Sequence, residues 1–241
     1  MRVELTLVAT VFLAGLVVWL AVLFDLRLAT YKPAPPQVAV CVAAPPHKDP
    51  YFLQRFNLNN DFNSLTELTN SLTTLSTEQA EELLTVFNDS KVVLDGLTVI
   101  SPEVALTLAK CSVPLELNGL NELSPEAAEA LVDYSGDSLS IDGLTSISEE
   151  AANALGNCQC RQLSLNGLKT LSVESADGLA RFMGDSLFLH DLTILSPEAA
   201  EELAGFRGEL LQFGEISTHS PKATDKLKKF QGKLVLGSQS N

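Results

Sequence analysis

Cysteine is the residue type whose spacing in this chain could most directly do chemistry. The chain has four cysteines, and Cys158 and Cys160 form a Cys-x-Cys pair. We interpret the pair as small buried or turn thiols, with a metal or redox site as the alternative. A metal site would need a second ligand pair at a suitable spacing, which the sequence lacks, and a disulfide within the pair would close a very small, strained ring. We therefore predict no metal ligands and no cofactor.

Cys111 and Cys158 occupy almost the same position of a sequence repeat, two copies apart. Adjacent strands lie about 4.8 Å apart, so two copies separate these residues by roughly 10 Å. A disulfide needs Cα atoms within about 7 Å of each other. We therefore predict that Cys111 forms no disulfide with either member of the pair.

Histidine is too scarce to suggest a catalytic centre. The three histidines are His47, His190 and His219, and a Ser-His-Asp or Cys-His enzyme would have to use one of the last two. Neither lies near a nucleophile elbow, and the chain has no phosphate-binding loop and no two-histidine metal helix. We predict that the protein is not an enzyme and has no catalytic residues.

The elements that position these residues belong to a repeat marked by serine. A fixed period of about 24 residues indicates a solenoid of stacked units. The period is set by Ser76, Ser101, Ser124, Ser148, Ser172, Ser196 and Ser220.

Each of these serines predicts the start of a helix. Ser is a preferred N-cap, Pro often follows it, and an acidic residue comes next in most copies, as in Ser124-Pro125-Glu126. Pro suits the first helical position, and a carboxylate there favours the positive end of the helix dipole. Alanine four residues after Ser and leucine seven residues after it share one helical face, which must point inward.

Before each serine, an alternating run such as Leu163-x-Leu165 predicts a very short strand with one buried face. An Asp-Gly or Asn-Gly pair then follows, as at Asn166-Gly167. We expect these glycines to supply the positive φ of a tight turn that leads to the helix. A single unit cannot bury its apolar faces alone, so neighbouring units must stack.

This pattern resembles the bacterial type of leucine-rich repeat, with a Leu-x-Leu-x-Gly-Leu-x-x-Leu-Ser-x-Glu core, over about Leu65 to Leu236. The resemblance implies an α/β solenoid with parallel strands on one face and helices on the other. It also implies protein or peptide binding, and it brings no catalytic residues. Leucine stands where the commonest pattern has Asn or Cys, so the polar ladder of better-known relatives is predicted to be absent. These positions are Leu97, Leu120, Leu144, Leu168 and Leu192.

Two columns of side chains are predicted to point outward from the stacked strands. The first column is Val93, Glu116, Ser140, Ser164, Phe188 and Gln212, and the second is Asp95, Asn118, Asp142, Asn166, His190 and Gly214. The Asn and Asp of the second column are explained by their turns. Phe188 beside His190 is out of pattern, and exposed aromatics in a polar rim often anchor interfaces. Variation in a diverging repeat is the alternative. The predicted ligand-binding residues are Phe188, His190, Glu116, Ser140, Ser164 and Gln212.

The N-terminal part of the chain predicts membrane attachment. Residues 1–4 form a short tail, and residues 5–24 contain no charge and are long enough for a transmembrane signal anchor. A cleaved signal peptide is the alternative, but its apolar region is usually shorter. Residues 25–50 are a Pro-rich spacer, the aromatic residues in 51–67 form an N-terminal cap, and residues 68–241 hold about seven repeats. We predict a single-pass cell-membrane protein with an extracytoplasmic C-terminal domain.

The charge of the chain limits its partners. The formal net charge is −14 and the pI is about 4.5, which argues against nucleic acids as ligands. Near the C-terminus, Lys226, Lys228, Lys229 and Lys233 are interpreted as blunting edge-to-edge association, with a basic docking patch as the alternative. The sequence therefore predicts a membrane-anchored, non-catalytic protein–protein interaction module. The alternative is a structural envelope component that spaces or self-associates.

Overall fold

The computed structural model describes residues 71–86, 91–214 and 221–237, all of which belong to one compact unit, Asp49–Asn241. The predicted tail, anchor, spacer and N-terminal cap lie outside these residues, as does Ser220. Within the described residues, no helix is long and apolar enough to cross a bilayer.

Short helices and short strands alternate along the described chain. The helices are α1 (Thr77–Val86), α2 (Pro102–Leu108), α3 (Pro125–Ala130), α4 (Glu149–Leu155), α5 (Val173–Ala180), α6 (Pro197–Leu203) and α7 (Pro221–Leu227). The strands are β1 (Val92–Val93), β2 (Leu115–Glu116), β3 (Ser138–Ser140), β4 (Gln162–Ser164), β5 (Ser186–Leu189), β6 (Leu210–Phe213) and β7 (Lys233–Val235).

The strands form one parallel sheet in which each strand pairs with the next in sequence order. The register advances by one unit at each step, so Leu139 pairs with Leu163, and Leu163 with Leu187. Each helix likewise packs against the helix of the next unit. The prediction of an α/β architecture with parallel strands alternating with helices, stacked as a solenoid-like repeat, is confirmed at this level.

Serine begins the described helices as predicted. At Ser101, Ser124, Ser148, Ser172 and Ser196 the backbone is extended, with φ between −69° and −80°, and the hydroxyl accepts a backbone N–H three residues on. Ser76 forms a reciprocal pair with Gln79, in which each side chain accepts the other residue's backbone N–H at 3.2 and 2.9 Å. These caps fix where helices α1 to α6 start.

The core is the continuous aliphatic layer between the sheet and the helices. The predicted leucines seven residues after each serine are fully buried at Leu83, Leu108, Leu131, Leu155, Leu179, Leu203 and Leu227. The alanines four residues after serine are equally buried at Ala80, Ala105, Ala128, Ala152, Ala176 and Ala200. Small Ala lets each helix lie close to the sheet, while Leu fills the space between units.

The turn glycines serve a different purpose from the one predicted. At Gly119, Gly143 and Gly167, φ lies outside the left-handed region, so the expected positive φ is wrong. A Cβ on Gly167 would lie 1.9 Å from the carbonyl oxygen of Asp142 in the preceding unit. Glycine is needed here because the backbones of successive turns approach too closely for a side chain.

Buried aromatic rings that follow the helices form a regular stack, which was not predicted from the sequence. Phe182, Phe206 and Phe230 stack nearly parallel, with ring centroids 6.1 and 5.8 Å apart. A glycine two residues after each ring makes room for it, since a Cβ on Gly184 would lie 2.3 Å from Cζ of Phe182. This ring-x-Gly pattern recurs in three successive units, just before strands β5, β6 and β7.

Candidate functional site in the sheet face

The strand register brings the first predicted column together. Glu116, Ser140, Ser164, Phe188 and Gln212 pair successively across strands β2 to β6, and all five are half-buried. The column is extended by Val93 at one end and by Val235, which pairs with Gln212, at the other. Five of the six predicted ligand-binding residues therefore form one continuous row.

The second column forms a hydrogen-bonded ladder. Each Asp or Asn side chain accepts the backbone N–H at the same position of the next unit, at 2.9 to 3.1 Å. The rungs join Asn118 to Asp95, Asp142 to Asn118, Asn166 to Asp142 and His190 to Asn166. Acid and amide alternate along the ladder, so no two carboxylates face each other at one strand spacing, where like charges repel.

This ladder changes the interpretation of the turn residues. From the sequence, their Asn and Asp were expected only to form turns, and a polar ladder was expected to be absent. Leucine does occupy the position of the usual ladder, and Leu120, Leu144 and Leu168 are fully buried. Within the described residues, the Asn and Asp side chains of the second column accept the backbone N–H groups of the stacked turns instead.

Three of the predicted ligand-binding residues hold partners within the molecule. The Ser140 hydroxyl donates to Oδ1 of Asn118 at 2.7 Å, and the Ser164 hydroxyl donates to Oδ1 of Asp142 at 2.6 Å. Glu116 pairs with Lys91 at 2.9 Å. In this half of the row, the outward polar side chains already bond to a neighbouring unit.

Phe188, His190 and Gln212 lie where these internal bonds end. The Phe188 and His190 rings meet edge to face, with centroids 6.2 Å apart. Gln212 makes no side-chain hydrogen bond within the described residues. The ladder stops at His190, whose Nε2 is buried without a hydrogen-bond partner in the described chain, and the next position is Gly214, which has no side chain. An unpaired buried polar group of this kind costs about 1–3 kcal/mol.

Apolar side chains that were not singled out from the sequence surround this end of the row. Leu210 precedes the core residue Leu211 on β6 and points outward, half-buried, beside Ser186 and Lys233 in the register. Val235 lies beside Gln212. Following the outward positions of every strand to the last unit would have found both residues.

The opposite side of the solenoid, formed by the helices, carries a concave region between the ends of α5 and α6. It is lined by Arg181, Met183, Glu202 and Arg207, among others, and the Met183 side chain is 88% exposed. Arg181, the C-cap residue of α5, pairs with Asp177. This region is charged and open, whereas the end of the sheet face combines apolar side chains with an unpaired polar atom.

The part of the chain that the structure describes offers no candidate metal site. No group of three or more His, Cys, Asp or Glu side chains there could hold a metal ion. Cys111, Cys158 and Cys160 are buried free thiols.

The lysines near the C-terminus are largely engaged with acidic side chains. Lys226 and Lys229 both contact Glu201 of the preceding unit, at 2.6 and 2.8 Å, and Lys228 contacts Asp225 at 2.9 Å. Lys233 begins β7, the last strand in the sheet order.

A scan against models of known protein families and a search of curated proteins both find no match for this chain.

Proposed function

We propose that this chain is a leucine-rich-repeat-like solenoid that binds a protein or peptide, without catalysis, through the C-terminal half of its sheet face. The binding surface comprises Phe188, His190, Leu210, Gln212 and Val235. The observation that carries the proposal is the end of internal side-chain hydrogen bonding at Phe188 and His190. The neighbouring Ser164 hydroxyl, by contrast, donates to Asp142 and accepts from Asn166. Side chains without internal partners are the ones available to a ligand.

The chemistry of this surface suits an extended or looped polypeptide. Phe188, Leu210 and Val235 supply apolar contact area, and aromatic residues surrounded by polar groups dominate binding energy at many interfaces. The Gln212 amide can donate to or accept from a backbone peptide group.

We further propose that residues 5–24 anchor the protein in a cell membrane with the solenoid on the extracytoplasmic side. The support is the uncharged run of residues and the Pro-rich spacer that follows it. An alkaline phosphatase fused after Asn241 should be active in a bacterial host, because that enzyme matures only outside the cytoplasm. An inactive but intact fusion would count against this orientation.

Affinity capture from native membranes with the full chain as bait tests the binding surface. A Phe188→Ala, His190→Ala variant should lose a partner that the wild-type chain holds, with affinity lower by at least about tenfold. Glu116→Ala is the matched control, since it changes the same row in its internally bonded half, and it should keep the partner.

Two other outcomes would redirect the proposal. A partner held equally by the wild type and the Phe188→Ala, His190→Ala variant would place the site elsewhere, either on the helix side near Met183 or at the lysines around α7. No partner, together with concentration-dependent sedimentation of the chain, would support a self-associating structural component instead.

A further inference from the structure

Cys158 and Cys160 form a buried pair of thiols whose sulfur atoms are in contact. Their Sγ atoms lie 3.3 Å apart, and each residue is only 1% exposed. The remaining contacts of Cys158 are weak ones, at 3.6 Å to the carbonyl oxygens of Leu131 and Tyr134. The two sulfurs are therefore each other's nearest reactive partners.

The pair replaces the ring-x-Gly pattern in its unit. Cys158 stands 24 residues before Phe182, and Cys160 stands 24 residues before Gly184. In the unit of Phe182, the ring excludes any side chain at the glycine, because a Cβ there would lie 2.3 Å from Cζ. Exchanging the ring for a small thiol opens the space that a second thiol occupies.

Cys111 provides an internal comparison. It occupies the ring position two units before Cys158, and its unit has Val113 where the pair has Cys160. The Cys111 thiol donates to the carbonyl oxygen of Val113 at 3.6 Å and has no second thiol beside it. The chain thus contains a single-thiol and a double-thiol version of the same position.

The environment makes the two thiols of the pair unequal. The side-chain hydrogen bond between the two residues holds the pKa of Cys158 below its usual value. The same bond is the main cause that raises the pKa of Cys160, and burial of the thiol raises it further. Burial also raises the pKa of Cys111. Cys158 is therefore the thiol of the pair that loses its proton more readily, and the thiolate is the reactive form.

We propose that Cys158 and Cys160 are an oxidation site at which hydrogen peroxide forms an intrachain disulfide. A small oxidant suits the site, because side chains that are 1% exposed exclude a bulky disulfide reagent. Two residues of extended chain span at most about 7 Å, at the upper limit of the Cα separation that a disulfide accepts. The bond should form with a small bend of the chain and be readily reduced.

The reaction balances in two steps. The Cys158 thiolate attacks one peroxide oxygen, the O–O bond breaks, and a sulfenic acid and hydroxide result. The Cys160 sulfur then attacks Sγ of Cys158 and the S–O bond breaks. The departing hydroxide accepts the proton of the Cys160 thiol and leaves as water. The hydroxide from the first step accepts the proton that Cys158 lost and becomes the second water. Two thiols and one peroxide thus give one disulfide and two waters.

The test treats the full chain with peroxide, alkylates the remaining thiols after unfolding, and maps the products by mass spectrometry. Cleavage before aspartates places Cys158 and Cys160 together in 142–176, Cys111 in 95–132 and Cys41 in 25–48. We expect 142–176 to lose two hydrogen atoms and to resist alkylation until a reductant is added. Cys111 should remain alkylated throughout.

Two variants control for the fold. Cys158→Phe with Cys160→Gly restores the pattern of the Phe182 unit, so it should fold and show no such oxidation. Cys160→Ala leaves one thiol and should give a Cys158 sulfenic acid, without a disulfide, which dimedone traps once the oxidised chain is unfolded. The proposal is overturned if wild-type Cys158 and Cys160 are alkylated as fully as Cys111, or if either pairs with Cys41 or Cys111.

Discussion

The two halves of the sheet face use the same strand positions for different purposes. From β2 to β4, the outward residues Glu116, Ser140 and Ser164 each bond to a side chain of the preceding unit. From β5 to β6, Phe188 and Gln212 make no such bond within the described residues. The backbone register is the same in both halves, so only the side chains differ.

The difference shows that an outward position alone does not leave a side chain without an internal partner. In the first half, polar side chains satisfy the backbone N–H groups of stacked turns, which would otherwise be costly to bury. In the second half, the ladder ends at His190 and leaves Nε2 unpaired. Side chains of both columns thus bond neighbouring units over the first half of the sheet face, and the half without such bonds is the one that we propose contacts a ligand.

The largest expected effect concerns Asp142, at the centre of the ladder. It accepts from the Ser164 hydroxyl, from the Asn166 backbone N–H and from the Asn166 amide, at 2.6, 2.9 and 3.1 Å. Asp142→Ala leaves these donors without that partner and should lower the free energy of unfolding by about 3 kcal/mol. Urea denaturation followed by circular dichroism measures it.

Asp142→Asn is the matched control for that change. Asn118 already serves the equivalent place, accepting from Ser140 and from the Asp142 backbone N–H. The Asn variant should therefore lose less than about 1 kcal/mol. If Ala and Asn cost the same, the ladder does not hold the units together and the contrast between the halves loses its basis.

A smaller effect compares the two halves directly at one column position. Ser164→Ala removes the hydroxyl that bonds to Asp142 and to the Asn166 amide, and it should cost about 1 kcal/mol. Gln212→Ala removes a half-buried side chain without a described hydrogen bond, so its cost should stay within about 0.5 kcal/mol. The same denaturation experiment serves both variants, and a larger loss for Gln212→Ala would reverse the comparison.

The smallest effect concerns the helix side, where charges join the last described unit to its neighbour. The hydrogen bonds from Lys226 and Lys229 lower the pKa of Glu201 to about 2. Because this value lies below the usual 4.5, the contact stabilises the folded chain above pH 4.5, and its contribution is lost as the pH falls toward 2. Both partners are exposed, so the gain in stability should be slight.

Carboxyl carbon NMR of the full chain checks this value. The Glu201 signal should titrate near pH 2 in the wild type and move toward pH 4.5 in a Lys226→Gln, Lys229→Gln variant. Lys228→Gln is the control, since Lys228 contacts Asp225 and not Glu201. An unshifted Glu201 in the wild type would show that α6 and α7 are joined by apolar packing alone.

Much of the architecture follows from local sequence, because each unit repeats the same pattern of capping, core and strand residues. Ser124 caps a helix whose Ala128 and Leu131 must face inward, and Leu115 and Leu117 alternate as a buried strand does. A constant period fixes the register, since identical units can bury these faces only by stacking in order. The parallel sheet and its alternation with helices were therefore predictable.

Contacts between units were decided only by the tertiary structure. No sequence rule states that the Asp142 carbonyl lies where a Cβ of Gly167 would be, or that Asp142 bonds to the backbone of Asn166. Nor does the spacing of the cysteines show that the small Cys158 side chain leaves space for Cys160, where a ring would exclude any side chain. These facts depend on how closely one turn of the solenoid approaches the next, and that distance is set by packing over the whole stack. The sequence by itself determined which residues each unit buries, and the stacking decided which of the outward residues remained free.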